Sequence, residues 1–118
     1  MNSIDSLRTL AIRLAEFVDE RDWDQFHNPK NLAMALAAEA GELLEHFQWL
    51  RPDEAEALSP AQREAVALEM ADILMFLVRL ADKLDVDLLG AAARKLELNR
   101  DRYPVEKARG RATKYDRL

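Results

Sequence analysis

The chain is 118 residues long, 49% hydrophobic and 33% charged, with 17 Lys+Arg against 22 Asp+Glu, a formal net charge of −5 and no cysteine. That length suits one globular domain and leaves no room for a second full one. Three glycines and four prolines are too few for the turns of a many-stranded sandwich or barrel, and the lack of cysteine excludes disulfides, zinc–thiolate sites and thiol nucleophiles.

Met1 to Asp19 alternates apolar and charged side chains at helical spacing and lacks the unbroken apolar core of a signal peptide. Ile4, Leu7, Leu10, Ile12, Leu14, Phe17 and Val18 mark a first helix that stops near Arg21, with Ser3 as its expected N-cap. Asp22 to Asn28 is a short aromatic connection. Asn28 then caps a second helix that begins at Pro29 and is expected to reach about Leu50, before Pro52. Arg51 to Leu58 reads as an acidic loop. Ser59, Pro60 and Gln62 form a capping-box signature for a third helix reaching about Leu84. The fourth starts near Asp85 and runs to about Arg102, stopping before Pro104.

Val105 to Leu118 reads as an extended basic arm on a single domain spanning 1–118. Residues 94–118 hold 9 Lys+Arg and 4 Asp+Glu, whereas residues 1–93 hold 8 and 18, so an acidic body carries a basic tail. The apolar run Ile73 to Val78 is far short of the roughly 18 residues that suggest a membrane span. A soluble, cytoplasmic protein with no membrane partner is expected, and the acidic body argues against a nucleic-acid polymer as ligand.

The second and third helices carry the chemistry. At 100° per residue Glu39, Glu42, His46 and Trp49 share one stripe of the second helix, and Glu69, Asp72, Phe76 and Arg79 share one stripe of the third. Each acid pair borders an apolar core stripe, and neither Asn31–Leu50 nor Glu64–Val78 contains a Lys or Arg to neutralise it. Buried carboxylates without a counter-charge are costly, so a hard divalent cation is the expected partner. All-oxygen ligation favours Mg²⁺ or Mn²⁺ over zinc or copper. A ferritin-like di-iron site needs Glu-x-x-His on two helices, and this chain has none. His46 is expected at the rim rather than on the metal, and Glu45 on the surface or behind the ligands. Met70, Leu74 and Val78 make the third helix apolar nearly all round, which calls for a second subunit to enclose it.

Several local motifs accompany the acids: Glu-Arg-Asp-Trp-Asp-Gln-Phe-His at 20–27, Pro-Lys-Asn-Leu-Ala at 29–33, Glu-Ala-Gly-Glu-Leu-Leu-Glu at 39–45, Phe-Gln-Trp at 47–49, Glu-Met-Ala-Asp-Ile-Leu at 69–74, Asn-Arg-Asp-Arg-Tyr-Pro at 99–104 and Lys-Tyr at 114–115. Together they resemble the MazG-like all-α nucleoside triphosphate pyrophosphohydrolases, most closely the dCTP pyrophosphatase branch. The resemblance implies an all-α four-helix-bundle protomer completed by dimerisation, as a dimer of dimers. It also implies cleavage of a dNTP between the α and β phosphates, with dCTP or 5-modified dCTP preferred, in nucleotide-pool sanitation. Carried over by position, Glu39, Glu42, Glu69 and Asp72 are the implied catalytic Mg²⁺ ligands, with Mn²⁺ as a possible substitute. Trp23, Asp24, Gln25, Phe26, His27, Trp49 and Phe76 are the implied base and sugar pocket, in which Trp23 and Trp49 could sandwich a base. Lys95, Asn99, Arg102 and Tyr103 are the implied phosphate-side group. Leu68, Phe76 and Leu14 depart from residues common among relatives, and a missing hydroxyl at Phe76 bears on base or sugar selectivity. Two rival readings are hydrolysis of another or damaged dNTP, and a non-catalytic helical oligomerisation module that binds metal for structure alone.

Overall fold

The computed structural model describes residues 3–118, and every regular element among them is helical. The chain divides into two compact units, one ending at Asp85 and the other running from Val86 to Leu118.

In the first unit, α1 (Leu7–Glu20) starts at Ser6, whose side chain accepts from the Thr9 N–H; the cap therefore lies three residues later than the expected Ser3. Asp22, in the left-handed region at φ 54°, turns the chain after α1, a conformation that Asp tolerates better than most residues. The Trp23 N–H returns to the Val18 carbonyl at 3.0 Å, and a 3₁₀ turn (Asp24–Phe26) leads to α2 (Pro29–Glu45). Asn28 caps α2 as expected, its Oδ1 accepting from Asn31 N–H at 2.9 Å.

The end of α2 corrects the sequence expectation: the helix stops at Glu45 and not near Leu50. Beyond it the His46, Phe47 and Leu50 N–H groups bond to carbonyls three residues back, so the backbone tightens and the 100° phase is lost. The Arg51–Leu58 segment is not all loop. Pro52 and the Glu54 carboxylate, which accepts from Arg51 N–H at 2.9 Å, start the single-turn α3 (Pro52–Ala55). The expected capping box opens α4 (Pro60–Lys83), with Ser59 Oγ accepting from Gln62 N–H and Gln62 Oε1 accepting from Ser59 N–H.

Helix α4 is the spine of this unit, packing most extensively against α2 and also against α1. Val18, Leu32, Val66, Val78 and Ala81 form the buried core between the three. Each fully buried aliphatic side chain of this size contributes about 1.5–3 kcal/mol. Met70 and Leu74, one turn apart, leave an apolar strip of α4 exposed, Met70 by 57%, and Leu68 is exposed on another face of the helix.

The second unit contains α5 (Leu88–Arg102), α6 (Val105–Ala108) and a 3₁₀ turn (Tyr115–Arg117). The N-cap of α5 is Asp87, whose Oδ1 accepts from Gly90 N–H, and Asp85 precedes it. The segment expected as an extended arm thus carries two short helical turns. The Tyr115 ring meets Tyr103 edge-to-face at 6.0 Å and lies under the Arg102 guanidinium at 4.6 Å. Among the described residues, no helix is long and apolar enough to cross a membrane.

Candidate functional site

Packing of α2 on α4 brings Glu39 of one helix beside Glu69 and Asp72 of the other. One carboxylate oxygen from each lies within 4.8 Å of the other two, and all three residues are half-buried. Glu39 Oε2 and Glu69 Oε2 are themselves buried and have no hydrogen-bond partner. An unsatisfied buried acceptor costs about 1–3 kcal/mol, more when charged. Glu39 answers this by holding its proton: burial, the adjoining carboxyls of Glu42 and Glu69, and the charge of Asp72 push its pKa up to about 7. His46 Nε2 stands 3.9 Å from Glu69 Oε1, too far for a hydrogen bond, and acts as a counter-charge only when protonated.

Three carboxylates with two orphaned oxygens fit a hard divalent cation. Glu42, the fourth expected ligand, stands outside the trio as an exposed residue next to Glu39.

A groove of about 790 Å³ opens from the trio, with Asp72 belonging to both. Leu10, Leu14, Phe17, Trp23 and Phe76 supply apolar walls, while His27 and Arg79 supply polar atoms. Trp23 is held edge-on to Phe17 at 5.8 Å. Phe17 is braced in turn by Arg21, whose guanidinium carbon lies 3.7 Å from the ring centroid.

Of the pocket residues expected from sequence, Trp23, His27 and Phe76 line this groove and the others have different places. Asp24 turns to Arg79 and Lys83, whose charges and hydrogen bonds hold its pKa below the ordinary carboxylate value. Gln25 Nε2 donates to the Asp22 carbonyl and carboxylate, and Phe26 is exposed. Trp49 is 86% exposed and does not line the groove; the change of backbone after Glu45 takes it off the Glu39–Glu42 stripe. No sandwich of Trp23 with Trp49 forms within the protomer.

In the second unit Lys95, Asn99 and Arg102 are spaced by four and three along α5, which puts them on one face of that helix. The Tyr103 N–H bonds to the Asn99 carbonyl at 2.8 Å, and Arg102 is fixed over Tyr115.

Sequence reasoning passed over the groove-lining roles of Leu10, Phe17 and Met75, and the bonds of Arg79. A signal existed for the last of these. Arg79 is an arginine on the stripe that borders the core of an apolar helix, and a charge buried there demands acceptors.

The sequence profile of the MazG-like family matches residues 34–118. The chain is 52% identical over 107 residues to dCTP pyrophosphatase 1 of Bos taurus and 47% identical over 106 residues to dCTP pyrophosphatase 1 of Homo sapiens, each alignment covering 88% of this chain. Those alignments cover 63% and 62% of the two relatives, so the chain spans less than two thirds of their length. Its fold is similar to that of a pyrophosphatase from Archaeoglobus fulgidus, with a TM-score of 0.80, 37% identity, and coverage of 88% of this chain and 97% of the other.

Proposed function

This chain belongs to the MazG-like family, and from that premise we propose that it is a Mg²⁺-dependent nucleoside triphosphate pyrophosphohydrolase, converting a dNTP to dNMP and pyrophosphate. The preferred substrate is dCTP or a 5-modified dCTP, and the role is nucleotide-pool sanitation. The observation that carries this reading is Asp72, which belongs at once to the carboxylate trio and to the wall of the apolar groove. A ligand with a flat apolar end joined to a polyanionic end matches both halves of the site.

In this reading Trp23 and Phe76 offer aromatic faces to the base, since every nucleobase has a face that stacks. Glu39, Glu42, Glu69 and Asp72 hold the cation. When bound, Mg²⁺, or Mn²⁺ in its place, neutralises phosphate oxygens and assists the attack of water on phosphorus. Lys95, Asn99, Arg102 and Tyr103 take phosphate oxygens, with Arg102 already oriented by Tyr115. A carboxylate not fully committed to the cation, Glu42 or Glu45, accepts the proton of the attacking water. The exposed Met70 and Leu74, one turn apart on α4, support a homo-oligomer, in which a four-helix-bundle protomer is completed by its partner as a dimer or dimer of dimers.

Steady-state turnover of the four dNTPs with Mg²⁺, for the wild type and for Asp72→Asn, tests the reading. The expected result is turnover with dCTP foremost and a loss of at least about 10²-fold in Asp72→Asn, with the fold kept. Wild-type inactivity on every dNTP, with Mg²⁺ still raising thermal stability, would instead support a structural metal site.

A further inference from the structure

Arg79 is only 5% exposed although it carries a full charge on a largely apolar helix. All three of its guanidinium nitrogens donate. Nη2 donates to Asp24 Oδ1 at 3.1 Å, Nη1 to Asp82 Oδ2 at 3.4 Å, and Nε to Nδ1 of His27 at 3.3 Å. Two of these bonds reach from α4 to the segment that carries Trp23, and Lys83 adds a further pairing with Asp24. The charged groups acting on His27 are therefore Arg79 and Lys83 on one side of the balance and Asp24 on the other.

Chemistry fixes the rest. A guanidinium does not lose its proton in a protein, so its Nε–H can only donate, and Nδ1 of His27 must be the acceptor. The imidazole is then neutral, with its single hydrogen on Nε2. Burial and the neighbouring cations also hold the His27 pKa below the usual histidine value.

We propose that Arg79 is a positioning residue: it anchors the Trp23–His27 segment to α4 and locks His27 as the Nε2–H tautomer, so that the groove wall selects a base presenting a hydrogen-bond acceptor there. The selection of a base rests on reading the groove as the nucleobase site; the tautomer does not.

The test is NMR of the imidazole nitrogens in the whole ¹⁵N-histidine-labelled chain, with His46 assigned through His46→Gln, combined with kinetics on the dNTPs. In the wild type at neutral pH, His27 shows Nδ1 bare and Nε2 protonated. Arg79→Lys keeps the charge but cannot make the same set of planar bonds. It releases His27 into a mixture of tautomers and raises KM for the preferred dNTP by about tenfold, with kcat changed by less than about threefold. Wild-type His27 protonated on Nδ1 overturns the proposal without any variant, as does Arg79→Lys with an unchanged tautomer and KM. If no dNTP is turned over, the functional reading fails, and the tautomer measurement alone decides the role of Arg79.

Discussion

At Glu39 the electrostatics of the site converge. Its buried Oε2 has no partner, and burial together with the acids around it pushes its pKa up to about 7. Replacing it by Gln keeps the shape and removes the charge. Glu39→Gln should therefore stabilise the metal-free protein by on the order of 1 kcal/mol near neutral pH while abolishing most of the stabilisation by Mg²⁺, as read from melting curves with and without the ion. His27 makes a second residue-scale prediction. Its pKa is lowered in the folded state, first by burial and then by the charge of Arg79, so the unfolded chain binds the proton more readily. That contribution to stability is complete above the usual histidine value of 6.5 and is lost as pH falls below it. Glu39, whose pKa is raised, gives the opposite slope between 4.5 and about 7. The His27 effect should therefore emerge clearly in Glu39→Gln, as a melting temperature that falls from pH 7.5 to 5.5 and flattens when His27→Gln is added. The acid trio was legible because i,i+3 acids on helical stretches without cations pose a charge problem visible in the sequence. The Arg79–Asp24 pair spans 55 positions, a separation that no periodicity reports.

The elements were legible where side chains close the ends of helices. Asn28–Pro29 and Ser59–Pro60–Gln62 fixed the starts of α2 and α4 to the residue, because each pairs a capping acceptor with a proline that needs no donor. Ser59→Ala removes the acceptor for Gln62 N–H and should cost about 1 kcal/mol in a denaturant midpoint measurement. The end of α2 was not legible. Its apolar pattern continues through Phe47 and Leu50 with no glycine or proline after Glu45, yet the His46, Phe47 and Leu50 N–H groups bond only three residues back. That change removes Trp49 from the acid stripe. α3 was obscured for the opposite reason: one turn is too short to show a period, and only the Pro52 and Glu54 capping pattern marks it.

For the whole molecule, the split between an acidic 1–93 and a basic 94–118 could be read from composition, and so could the all-helical class. The apolar periodicity of α4 called for enclosure, and Met70 and Leu74 are exposed on one face of it, the face assigned to the proposed partner subunit. Leu74→Arg should shift sedimentation toward the monomer, while Leu74→Met should not. The groove could not be read, since it is assembled from α1, the Trp23–His27 segment and α4 through contacts far apart in the chain. It meets the carboxylate trio at Asp72, and the chemistry proposed for that junction is cleavage between the α and β phosphates. The most direct measurement is ³¹P NMR of dCTP incubated with the protein and Mg²⁺. dCMP and inorganic pyrophosphate should be the only new phosphorus species; accumulation of orthophosphate with dCDP, or an unchanged dCTP spectrum, would rule out cleavage between the α and β phosphates.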